Sequence, residues 1–187
     1  MALIDLVAPV VEPVDLTSAK QFLRVDGNDE DTLITDMISL ARHQVENMID
    51  RTLIYRVFMY RGPVPNGHCL QLPRPPLLAV SEVTLRDEDE QIIVIPSSDY
   101  RVNTHRDPGE LRLKDGVSWT DYLDAPTGLE IEFSAGYGTD PGDVPLPLKQ
   151  ALLLLLAQHY EYRDNTEHPS VPMMVDALLM PYRWVRL

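Results

Sequence analysis

Between residues 29 and 51 the sequence repeats apolar side chains at i, i+3 and i+4: Leu33, Ile34, Met37, Ile38, Ala41, Val45, Met48 and Ile49. That spacing puts them on one stripe of an α-helix, whereas a strand would need alternation, so it predicts a long helix with one buried face. Asn28 is placed to cap it, and Asp29, Glu30 and Asp31 fall in its first turn, where the helix dipole favours negative charge. A shorter helix precedes it across residues 15–25, with Asp15 or Thr17 as cap, Ala19, Phe22 and Leu23 at helical spacing, and Gly27 as terminator.

From Leu53 to Tyr137 the texture changes to short runs of Val, Ile, Tyr and Phe broken by Gly, Pro and Asp, which predicts antiparallel strands. The expected strands are 54–61, 69–72, 80–86, 91–95, 100–103, 110–114 and 128–134, with the acidic run 87–90 as a solvated hairpin tip. Helix resumes after the breaker-rich loop 136–145, opened by Pro147 and running to about Arg163. Its stretch Ala151–Ala157 is apolar around the whole circumference, so it must be covered on all sides, by its own chain or by another copy. Beyond Asn165 the periodicity fades among Pro169, Pro172 and Pro181, and one or two helical turns followed by an extended tail are expected. The fold class is α+β: a helical bundle of two N-terminal helices and a C-terminal helix, with an inserted antiparallel β-subdomain and an extended C-terminal tail.

A chain of 187 residues, 44% hydrophobic and 24% charged, is long enough to bury a core without disulfide staples. The one cysteine, Cys69, excludes an internal disulfide and has no metal or redox partner near it in sequence. Residues 1–11 lack the basic region and cleavage site of a signal peptide, and no apolar run approaches membrane-spanning length, so a cytoplasmic site of assembly and no membrane partner are expected. The net charge of −13 argues against gripping phosphates. Asp26, Asn28 and Glu30 alternate like calcium ligands, yet Asp31 stands where glycine is needed and Met37 where glutamate is needed. The five histidines are scattered, and no nucleophile elbow, phosphate loop or dinucleotide fingerprint occurs. No catalytic, cofactor-binding or metal-binding residue is therefore assigned, and no cofactor is expected.

Several segments, in order, resemble the head-tail connector (adaptor) family of long-tailed phages, whose relatives occur in prophages and gene transfer agents. They are residues 15–26 and 29–34, then Ala41, Arg42, Glu46 and Arg51–Leu53, then 72–80, Phe133–Gly138 with Val144 and Pro145, His159–Arg163 and Ala177–Arg183. The resemblance spans nearly the whole chain. It implies an N-terminal arm over 1–14, a connector domain over 15–164 and a C-terminal tail over 165–187. The connector domain would comprise helical parts 15–52 and 146–164 around the β-subdomain 53–137. The function it implies is that of a subunit in a closed ring, expected to be a dodecamer, between the portal and the stopper or tail of a particle. DNA would pass through the lumen without specific binding, and there would be no enzymatic activity. A stopper or tail-terminator of the same particle is the alternative, disfavoured because the chain both opens and closes with helices; an uncharacterised enzyme is a more distant one.

The residues assigned to these contacts follow from their types. Portal binding is expected of the tail, through Leu178, Leu179, Tyr182, Arg183, Trp184, Arg186 and Leu187, since aromatic and arginine side chains anchor interfaces and the stretch after Asp176 has no acidic residue. Inter-subunit contact is expected of Leu152, Leu153, Leu155, Leu156 and Tyr160 on the all-round apolar helix.

Overall fold

In the computed structural model, which describes residues 2–89, 91–162 and 171–183, helices and strands segregate into two units. The helical unit comprises Val10–Ile54 and Gly138–Leu187, and the β unit comprises Met1–Pro9 and Tyr55–Tyr137.

In the helical unit α1 spans Leu16–Leu23, α2 Asp31–Ile49, α3 Leu146–Glu161 and α4 Met173–Leu179. Asp15 caps α1, its Oδ1 accepting from the Ser18 backbone N–H at 2.7 Å. That helix stops at Arg24, which takes the left-handed conformation (φ 57°) and lets the Val25 N–H return to the Lys20 carbonyl. Gly27, three residues on at φ 84°, serves the loop rather than the helix end. Asn28 is not the cap of α2: Lys20 reaches over from α1 and donates to Asn28 Oδ1 at 3.1 Å and to Asp31 Oδ1 at 2.6 Å, so α2 starts only at Asp31. The buried face of α2 is Ile34, Ile38, Ala41, Val45 and Ile49, while Leu33, counted in the predicted stripe, is 37% exposed.

Two charged side chains, Arg42 and Glu46, share that buried face. Arg42 grips Glu12 through Nε at 2.7 Å and through its Nη2 atom at 3.2 Å, and reaches Glu46 through Nη1 at 3.1 Å. Glu46 in turn accepts from the Leu53 backbone N–H at 2.9 Å, and Ser39 donates to Glu12. A buried ion survives only when its hydrogen-bonding capacity is met, and this network meets it while tying the extended segment before α1 and the segment after α2 to one helix.

The β unit carries β1 (Ala2–Val7), β2 (Arg56–Gly62), β3 (Cys69–Gln71), β4 (Leu77–Arg86), β5 (Ile92–Val94), β6 (Tyr100–Asn103), β7 (Glu110–Leu113) and β8 (Gly128–Ala135). They form two antiparallel sheets, in the orders β1-β2-β8-β4-β5 and β3-β7-β6. Alternation along β8 turns Leu129, Ile131 and Phe133 inward and Glu130 and Glu132 outward. Both sheets feed one core, in which Phe58 and Phe133 stack with ring centroids 5.5 Å apart beside Leu85, Leu111 and Trp119. The Trp119 Nε1–H is satisfied by the Gly67 carbonyl at 2.9 Å. The expected N-terminal arm is corrected in part: residues 2–7 are a strand paired with β2, its Leu3 packed on the β core. An apolar run with only Asp5 to interrupt it hides the period of two that would have marked a strand.

Candidate interaction surfaces

Pro145 stands at the N-cap of α3 and Pro147 in its first turn, where a missing N–H costs no intrahelical bond. From there Leu148, Ala151, Leu152, Leu155 and Leu156 form a fully buried stripe against α1 and α2. As inter-subunit contacts Leu152, Leu155 and Leu156 are therefore corrected, because each has no surface left to offer another copy. The helix is all-round apolar in sequence, and among the described residues its own unit buries one stripe fully and Leu153, Leu154 and Ala157 in part. Leu153 is half-buried, on a stripe with Leu146, Lys149 and Gln150 that walls an open groove with Pro13, Val14 and Pro141. Tyr160 is half-buried too, and its hydroxyl donates to a Glu30 carboxylate oxygen, a contact internal to the helical unit. Next to it the His159 Nε2 lies 2.8 Å from Gln44 Oε1.

At the carboxyl end, α4 buries Val175 and Leu179 and packs on α3 and α2. Leu179 is thus corrected from portal anchor to core residue. Leu178 and Tyr182 are half-buried and Arg183 is exposed; Arg183 pairs with Asp176 at 2.6 Å, and the Tyr182 carbonyl accepts from Arg51 Nε. Trp184, Arg186 and Leu187 lie outside the described residues. The sequence reading missed Met173, Met174 and Met180, whose side chains are among the most exposed apolar groups of the chain. Methionine packs adaptably, so such a surface suits a partner of irregular shape.

No group of three or more His, Cys, Asp or Glu that could hold a metal ion occurs among the described residues. No helix among them is long and apolar enough to cross a membrane. The shifted groups of the β unit have structural causes. The Tyr122 hydroxyl is pushed up to about 12 by burial and by its hydrogen bond to Asp99, which holds the Asp99 carboxyl below its usual range. Glu110 is held low by a hydrogen bond with Cys69 and by Arg112 and Arg106. Burial, followed by that same carboxylate, raises the Cys69 thiol.

This fold has counterparts among known proteins. The profile of the phage gp6-like head-tail connector proteins matches residues 13–108, just over half of the chain. The chain belongs to that family. Solved structures agree over its whole length. A chain from the virion of a native gene transfer agent particle superposes with a TM-score of 0.83 at 24% identity, and one from the neck of an empty gene transfer agent particle, computed with C6 symmetry, with 0.80 at 24%. A third, from the neck of a native particle computed with C12 symmetry, gives 0.75 at 26% identity; each comparison covers 100% of this chain and 97% of the other. No curated protein sequence matches. As a member of the connector family the chain is a structural connector subunit.

Proposed function

We propose that the chain forms a closed ring of twelve copies between the portal of a particle's head and its stopper or tail, with DNA passing through the lumen. The observation that carries this reading is the family match combined with the full-length likeness to a chain from a C12-symmetric neck. The molecular features support it. Among the described residues, Asp99, Glu110 and Tyr122 owe their shifted pKa values to hydrogen bonds, ion pairs and burial within the β unit. A net charge of −13 repeated around an axis gives a lumen that does not hold phosphate, which suits a conduit.

Leu153 and Tyr160 remain the proposed contacts between copies on α3, and Leu178, Tyr182, Arg183, Trp184, Arg186 and Leu187 the proposed contacts with the portal. Residues 183–187 can be removed while keeping the Tyr182 carbonyl for Arg51. The truncated chain is expected to keep its far-UV circular dichroism and melting temperature and to lose co-purification with portals. Unchanged portal capture by the truncated chain would remove the tail from the proposal.

A further inference from the structure

We propose that in the ring the five-stranded sheet continues from copy to copy, β1 of one subunit pairing with β5 of the next. The inference rests on the ring reading above. Its first support is an inverted distribution of polarity. On the sheet face turned away from the core, β8 presents Glu130 and Glu132 and β4 presents Glu82, Thr84 and Arg86, while β2 presents Val57, Met59 and Arg61. Glu130 is held there by Arg61 at 3.1 Å and Arg86 at 3.2 Å. The two rims of the same face carry Ile4 and Leu6 on β1 and Ile92 and Val94 on β5, exposed by 39, 45, 54 and 53%.

Register fixes that placement for Ile4, Ile92 and Val94, and Leu6 lies in the bulge between Asp5 and Val7. Leu3 and Ile93 pack on the core, so their neighbours Ile4, Ile92 and Val94 turn outward, opposite Met59, Arg86 and Thr84 respectively. Natural sheets guard unpaired rims with charge or proline, because a bare apolar rim recruits other strands. Here the charges lie on β8 and β4, while both rims carry apolar residues and β2 places Met59 beside the β1 rim, so neither rim of this face is guarded by a charge of its own.

The second support is backbone chemistry. Among the described strands β1 pairs only with β2 and β5 only with β4, leaving each rim a row of main-chain donors and acceptors. A head-to-tail contact that closes by rotation needs two different, mutually complementary faces, and the two rims of one open sheet meet that need. Four antiparallel steps separate β1 from β5, so the two strands run the same way and would pair in parallel across the junction. A two-fold β1 with β1 contact would instead be antiparallel. In the head-to-tail arrangement Ile4 and Leu6 lie beside Ile92 and Val94 on one face, as apolar cross-strand neighbours.

Cysteine pairs test this in assembled rings. In a Cys69→Ser background, each of the four combinations of Ile4→Cys or Leu6→Cys with Ile92→Cys or Val94→Cys is assembled with portals, imaged, oxidised and run on a denaturing gel. At least one combination is expected to give a covalent ladder beyond the dimer, while each single-cysteine chain stays monomeric. Rings without any ladder would overturn the pairing and leave the ring standing, and so would a covalent dimer from Ile4→Cys or Leu6→Cys alone. Absence of rings from the unsubstituted chain, seen before oxidation, would overturn the ring reading and the pairing with it. As a second arm, Ile92→Lys with Val94→Lys is expected to leave thermal unfolding unchanged and to lower ring occupancy on portals about tenfold. Undiminished occupancy would contradict the proposal.

Discussion

Arg42 and Phe133 each sit at the centre of one unit, in two different kinds of interior. Arg42 is held by Glu12 and Glu46 on the buried face of α2, and Phe133 lies against Phe58 in a core of aliphatic and aromatic groups. In the helical unit a polar network draws in neighbouring chain segments and leaves α3 with one finished side and one open groove. In the β unit the core is apolar, yet among the described strands the five-stranded sheet ends in two unpaired rims that carry apolar residues. The contrast teaches that an open sheet satisfies its faces but not its edges. A helix satisfies its own backbone and has only side chains left to place.

Breaking the apolar core of the β unit should cost most. Phe133→Ala removes a fully buried ring and is expected to destabilise the β unit by about 4 kcal/mol, read from Trp119 fluorescence in urea. A value under about 1 kcal/mol would show that this core is not where the β unit's stability lies. Arg42→Ala is expected to cost about 3 kcal/mol by helical circular dichroism, because the buried Glu46 loses its ion pair with Arg42 and Glu12 loses its anchor. Replacing the cap with Asp15→Ala should cost about 1 kcal/mol, the worth of one N-cap.

A smaller, pH-dependent effect separates the units further. Tyr122 ionises near 12 when folded against an ordinary 10.0, so its contribution is complete below pH 10 and is lost as pH rises from there toward 12. Its partner Asp99 has the opposite window, its contribution being present above the ordinary carboxylate range and lost as pH falls through the lowered folded value. Both effects are reduced by solvent screening, and Tyr122→Phe should flatten the alkaline limb of stability measured by denaturation at stepped pH. Smallest of all, Ile92→Thr should change stability by less than about 0.5 kcal/mol, since that side chain is 54% exposed. A large loss there would mean that the rims serve the fold itself.

Periodicity made the helices legible. The α2 stripe and the position of α3 stand close to where the spacing puts them, and residues 87–89 of the acidic run fall between β4 and β5, residue 90 lying outside the described residues. Ends were less legible, because they depend on which polar side chain is free: Lys20 occupies Asn28, and α2 starts later. The first strand was hidden because its pairing partner lies more than fifty residues away. At the surfaces, apolar residue type alone did not separate Leu152, Leu155 and Leu156, which face inward, from Leu153, which lines a groove. That distinction needs the neighbouring helices in place. The Arg42 network was invisible for the same reason, Glu12 being thirty residues distant.

Electron microscopy of the chain mixed with its cognate portal tests the central claim most directly. The expected result is an added ring of twelve equal densities coaxial with the portal, with an open channel through it. Portals that stay bare in the presence of excess, well-folded chain would contradict the account.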